Sequence, residues 1–124
     1  MSQEQHRKAE TLAALHAGPG AFVIPNPWDI GTTKILTGMG FKALATTSAG
    51  YAFSRGHTDG VVGRDEMLAH AAEIVAATPL PVSADLENGY GHSPEAAAET
   101  IRLAAGTGLV GASIEDFTGD WDAP

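Results

Sequence analysis

Apolar residues fall into short runs bounded by glycine and proline, and most runs are followed by stretches where apolar positions recur at helical spacing. Leu12, Leu15 and His16, preceded by polar residues, predict an amphipathic lead-in helix within residues 1–20, ending at Gly18-Pro19-Gly20. The run Ala21-Phe22-Val23-Ile24, closed by Pro25-Asn26-Pro27, reads as a first buried strand. Asp29 is placed to cap a helix running to Met39, with Gly40 at the left-handed position beyond its end. Residues 41–46 give a second buried strand. Residues 47–63 contain glycines and lack periodicity, so they read as a long loop, a feature often functional inside a domain. Met67, Ala71, Ile74 and Val75 predict a helix over residues 64–78, stopped by Pro79. Residues 81–85 form a third strand. Ser93-Pro94-Glu95 then supplies an N-cap, a proline at the first helical position and a first-turn acid. The alanine-rich helix it opens runs to about Gly106, residues 110–115 form a fourth strand, and residues 117–124 are a terminal loop.

Strands alternating with helices, through connections too long for hairpins, predict a parallel α/β sheet. Apolar runs rather than alternating ones predict a sheet covered by helices.

Composition narrows the possible chemistry. An apolar fraction of 44% over 124 residues excludes global disorder and suggests one domain. The absence of cysteine removes disulfide scaffolds, thiolate metal sites and thiol nucleophiles. Seven basic against fifteen acidic residues, a net charge of −8, argue against a nucleic-acid partner, which needs a basic face. No apolar run approaches the ~20 residues of a membrane span, and the polar N-terminus lacks a signal-peptide core. A cytoplasmic protein with no membrane partner is therefore expected.

The polar residues that stand out sit where each predicted strand ends: Asn26, Thr46-Thr47-Ser48, Asp85-Leu86-Glu87 and Glu115-Asp116. In parallel α/β folds these ends share one side and build the active site. Asp85 and Glu87, two apart, leave an extended segment on the same face. Glu115 from the neighbouring strand adds a third carboxylate. Three anions at one point repel unless a cation sits between them, and a hard divalent ion such as Mg²⁺, with waters retained, meets that need. The plainer alternative is that these acids only cap helices and solvate loops. Asn88-Gly89-Tyr90-Gly91 resembles an anion-binding glycine loop or simply a turn. Ser48 lacks the Gly-x-Ser-x-Gly elbow of a serine hydrolase. His57, His92 and Arg55 lie in loops without ligand spacing and read as surface residues.

The segments Thr47-Ser48-Ala49-Gly50, Gly56-His57-Thr58-Asp59, the run from Pro81 through Asp85-Leu86-Glu87-Asn88-Gly89-Tyr90-Gly91, and Gly111-Ala112-Ser113-Ile114-Glu115-Asp116 resemble the isocitrate lyase/phosphoenolpyruvate mutase family in order and spacing. The resemblance implies a parallel (β/α)8 TIM-barrel type, of which about the first four β/α units are present. It further implies Mg²⁺, or Mn²⁺, as cofactor and a small 2-oxo acid or phosphonate-type substrate processed through an enolate. Carried over by position, Asp85, Glu87 and Glu115 would be the metal-site carboxylates. Ser48 and the amides near Ala49 and Gly50, with Asp85, would bind substrate, and Asp59 would be the catalytic gate-loop aspartate. Glu87 stands where many members have Asp. The Lys-Lys/Arg-Cys-Gly-His segment of the isocitrate and methylisocitrate lyases is replaced by Phe117-Thr118-Gly119-Asp120-Trp121-Asp122, and the phosphonomutase lysine and asparagine are missing. This points to the mutase-like group, with C–C lyase chemistry ahead of P–C mutase chemistry.

A barrel of this type needs ~250 residues, so residues 1–124 are expected to be its N-terminal half, a single partial domain with little catalysis alone. The intact parent is expected to be a homo-oligomer. The competing readings are a noncatalytic half-barrel that binds metal or carboxylate, or merely dimerises through open sheet edges, and an unrelated four-strand α/β domain.

Overall fold

In the computed structural model, which describes residues 1–122, the elements are α1 (Gln3–Ala17), α2 (Ile30–Gly38), β1 (Leu44–Ala45), α3 (Ser48–Ser54), α4 (Arg64–Ala76), β2 (Val82–Asp85), α5 (Pro94–Ala105) and β3 (Gly111–Ser113). The last two residues of the expected terminal loop, Ala123 and Pro124, lie outside the described residues. The strands form a parallel sheet in the order β1-β2-β3, with Leu44 opposite Val82 and Ser83 opposite Gly111. This is the expected parallel α/β arrangement.

Helix starts follow the local chemistry. The Asp29 carboxylate accepts from the Thr32 amide at 2.7 Å, and the Thr32 hydroxyl accepts from the Asp29 amide, a reciprocal cap that opens α2. These bonds hold the Asp29 carboxyl below its ordinary pKa. Gly40 beyond α2 is left-handed, with φ 89°. Ser93 accepts the Ala96 amide and Pro94 occupies the first turn of α5.

Two expectations need correction. Residues 21–24 do not form a strand, and Val23 is 67% exposed. Pro25 and Pro27 bring no N–H to a ladder. Contact with β1 is therefore reduced to the Pro25 carbonyl accepting from Ala45 and the Asn26 side-chain amide donating to the Ala45 carbonyl. Residues 47–63 are not a continuous loop either, because α3 lies inside them, opened by the Thr47 hydroxyl on the Gly50 amide.

The strands are shorter than their apolar runs, and the sheet is covered on one face rather than two. Val82 and Ala84 of β2 point into a core with Leu68, Ala71 and Ile74 of α4 and Ala104 of α5. Ser83 and Asp85 point the other way and are only partly buried. In β3, Ala112 and Ser113 are exposed, since this strand pairs on one side only. Helix α1 closes the end where the strands begin. The Gln5 side-chain amide donates to the carbonyls of Ala105 and Leu109, and Lys8 donates to that of Thr78. The opposite end, where the strands finish, is left to the loops. No helix among the described residues is long and apolar enough to cross a membrane.

Behind the sheet, His70 of α4 is 4% exposed and stacks on Tyr51 at 4.1 Å, with no hydrogen-bond partner for Nε2. Burial pushes its pKa below the ordinary 6.5, opposed in part by the charges of Glu73 and Asp29. Because the folded value lies below the unfolded one, this contribution to stability is complete above pH 6.5 and lost as pH falls through the folded value. The denaturant midpoint is expected to drop between about pH 7.5 and about pH 5, and His70→Phe, which keeps the stack, to flatten that drop. An equal drop in the variant contradicts this assignment.

Candidate functional site

The site begins with Asp85, the last residue of β2. Its Oδ2 accepts both the Ser48 amide at 3.0 Å and the Ser48 hydroxyl at 2.7 Å, while its Oδ1 accepts the Glu87 amide at 3.1 Å. The Asp85 amide donates to the Thr46 hydroxyl at 3.2 Å. A carboxylate has about four acceptor positions. The three donors therefore fix the group and leave Oδ1 a position for one more partner.

Glu87 follows in a left-handed conformation, φ 49°, uncommon for a residue with a side chain. Its carbonyl accepts the Glu115 amide at 2.7 Å, which joins the end of β3 to the end of β2. Its carboxyl pKa is raised, first by burial; the neighbouring Tyr90 hydroxyl works against this, and the charges of Asp59, Asp85 and Glu115 add to it. Three of the expected acids, Asp59, Asp85 and Glu115, thus lie within electrostatic reach of the fourth, Glu87. Glu115 and Asp59 are exposed, whereas Asp85 and Glu87 are half-buried.

The Tyr90 hydroxyl is buried without a hydrogen bond of good geometry, though it lies near enough to the Glu87 carboxylate for each to influence the other. Burial and these negative charges push the tyrosine far above its ordinary pKa, so it stays a neutral donor. A cleft of about 500 Å³ opens beside these groups, with Gly60, Arg64, Glu87, Tyr90, Glu115 and Phe117 among its walls.

The other expected residues divide. Ser48 is at the site, but both its donors serve Asp85. The Gly50 amide is engaged by the Thr47 hydroxyl, and a side chain at Gly50 would overlap the Trp28 indole. Ala49 lies between them in the first turn of α3. His57, His92 and Arg55 are exposed. Sequence reasoning missed Arg64, a cation lining the cleft from the first turn of α4, where acids are the usual residents. It also gave no role to the Tyr90 hydroxyl, whose signal was an aromatic residue between two glycines directly after the carboxylates.

No three acids or histidines among the described residues stand close enough to enclose an ion as they are placed. The donor chemistry nevertheless fits a hard divalent cation: every group is a carboxylate oxygen, and Glu87 is held partly buried among like charges.

The phosphoenolpyruvate phosphomutase family profile matches residues 12–123. An uncharacterised protein from Mycobacterium tuberculosis is 37% identical over 108 residues, covering 86% of this chain and 40% of its own length. The 2,3-dimethylmalate lyase of Eubacterium barkeri is 33% identical over 96 residues, covering 76% of this chain and 33% of that enzyme. A crystal structure of a candidate lyase/mutase from Burkholderia cenocepacia J2315 superimposes with a TM-score of 0.95 at 63% identity, over 99% of this chain and 44% of that one. The chain therefore spans less than half the length of each of these relatives.

The raised Glu87 pKa has a consequence for stability. A carboxyl whose folded value exceeds its unfolded one stabilises the fold at low pH and loses that contribution as pH rises through the folded value. In the absence of divalent cations, Glu87→Gln is expected to raise the denaturant midpoint at neutral pH. The gain should vanish below about pH 4. A variant less stable than the parent at neutral pH contradicts this.

Proposed function

The chain belongs to the isocitrate lyase/phosphoenolpyruvate mutase superfamily, and on that premise we propose that it carries the cation-binding part of a (β/α)8-barrel enzyme acting on a small 2-oxo acid or related carboxylate. The observation that carries this reading is the convergence of Asp59, Asp85 and Glu115 on the half-buried Glu87. Acids brought together with two of them half-buried repel one another, and a positive partner relieves that repulsion.

In this reading Asp85 would hold Mg²⁺ or Mn²⁺, since three hydrogen bonds orient it and one acceptor position stays open. Glu87 and Glu115 would contribute their carboxylates to the same ion, directly or through water. Such a cation would supply a Lewis acid for the negative charge that develops on a substrate oxygen during bond making or breaking. Ser48 and the first turn of α3 hold the substrate carboxylate. For this, one Ser48 donor turns from Asp85 to the substrate, an exchange between two carboxylate acceptors. Asp59, on the exposed loop that includes Gly60, is the candidate acid–base residue. Arg64, whose Nε is paired with the Asp65 carboxylate at 3.1 Å, keeps its remaining guanidinium donors for an anionic substrate at the cleft. C–C cleavage is favoured over P–C rearrangement by the likeness to 2,3-dimethylmalate lyase and by the missing phosphonomutase residues.

Titration of the chain with Mg²⁺, alone and with pyruvate or oxaloacetate, tests the proposal by calorimetry and by thermal midpoint. Mg²⁺ is expected to raise the midpoint of the parent, by a free energy that follows its occupancy. Asp85→Asn, which keeps an acceptor for Ser48 but removes the charge, should lose most of that response, and Asp85→Ala all of it. A parent indifferent to Mg²⁺ in both heat and stability would overturn the cation role.

A further inference from the structure

The turn that follows β2 is an unusual piece of backbone. Glu87, Gly89 and Tyr90 all have positive φ, at 49°, 83° and 60°. Two of the three bear side chains and are strained there. The turn is closed by its own bonds, Gly89 amide to Leu86 carbonyl at 2.8 Å and Tyr90 amide to Asn88 Oδ1 at 3.0 Å. Those bonds set its shape but not its place on the protein.

Its head is tied to Asp85 and Glu115 through Glu87, and the rest of it is placed by α5. The hydroxyl of Thr100, a residue with no solvent exposure, donates to the Gly89 carbonyl at 2.7 Å across a buried contact. Around that bond the surfaces are cut to fit. A Cβ on Gly89 would lie 2.8 Å from the Ala97 Cβ, and one on Gly91 would lie 2.5 Å from the Ala96 Cβ. Glycines above and alanines below let the turn lie flat on the helix. The Glu87 carbonyl, at the head of the same turn, holds the Glu115 amide. A shift of the turn would therefore move both carboxylate-bearing residues.

We propose that Thr100 is a positioning residue for Glu87 and Glu115, acting through Gly89 and touching neither cation nor substrate. This rests on the cation-site reading of those acids given above. Replacing the hydroxyl by a methyl leaves the Gly89 carbonyl facing an apolar group in a buried place, and the strained turn loses its tie to α5.

The test compares the parent chain with Thr100→Val, Thr100→Ala and Thr100→Ser by amide hydrogen exchange without metal, and by Mg²⁺ titration. Exchange at the Tyr90 and Glu115 amides is expected to rise about 5- to 100-fold in the valine and alanine variants, from the usual cost of an orphaned buried carbonyl. Exchange at the Leu44 and Val110 amides, which bond in the sheet, should stay as in the parent. The Mg²⁺ concentration for half-saturation should rise in the same two variants, and serine should restore both readouts. Unchanged exchange at Tyr90 and Glu115 in both variants overturns the proposal. So does faster exchange with an unaltered Mg²⁺ half-saturation, or a serine variant that restores neither. Faster exchange in the variants, beside a parent that shows no Mg²⁺ response, refutes the cation reading and supports the hold of Thr100 on the Glu87 turn.

Discussion

Both donors of Ser48 meet one oxygen of Asp85, and the Glu87 amide meets the other, so that three bonds join the start of α3, the end of β2 and the strained turn beyond it. The Thr46 hydroxyl, accepting from the Asp85 amide, brings in the end of β1. The Glu115 amide on the Glu87 carbonyl brings in the end of β3. A single carboxylate thus sits at the junction of every strand end in the sheet. Its short side chain is suited to this, since Asp reaches backbone amides two residues on.

That junction works against the stability of the fold. Glu87 is pressed among like charges with its pKa raised, Tyr90 keeps a buried hydroxyl without a good partner, and two residues with side chains hold left-handed backbone. Strain and unsatisfied groups of this kind persist only where surrounding structure over-determines them. Here the surroundings are α5, whose Ala96, Ala97 and Thr100 form the bed of the turn, and the core of Leu68, Ile74, Val82 and Leu86 beneath β2. The opposite end of the sheet carries no such cost, because α1 seals it with ordinary bonds from Gln5 and Lys8.

Much of this was legible before any coordinates. Asp29, Gly40 and Ser93-Pro94 marked helix ends because capping is local chemistry, and the structure has each in that role. The gathering of acids at strand ends followed from the parallel α/β pattern, and Asp85 and Glu115 lie within electrostatic reach of Glu87. The misreadings came from interactions that are not local. Residues 21–24 look like a strand by composition, but two prolines remove the donors a ladder needs. Helix α3 is short and glycine-containing, so periodicity could not reveal it; its stability comes from the Thr47 cap and from Trp28 packed on Gly50. The continuous apolar runs suggested two covered faces, whereas Ser83 and Asp85 turn β2 into an alternating strand. Thr100 stayed invisible because one threonine in an alanine-rich helix carries no pattern. Only the fold shows that Gly89 lies above it.

We propose that the strand-end carboxylates form one site for a hard divalent cation. Mn²⁺, an oxygen-seeking paramagnetic ion, tests it most directly when added at substoichiometric levels to isotope-labelled chain, with amide signals read residue by residue. Broadening confined first to Ser48, Asp85, Glu87 and Glu115, and reversed by excess Mg²⁺, is the result expected. Broadening spread over the exposed acids of the surface, or absent from these four, would contradict it.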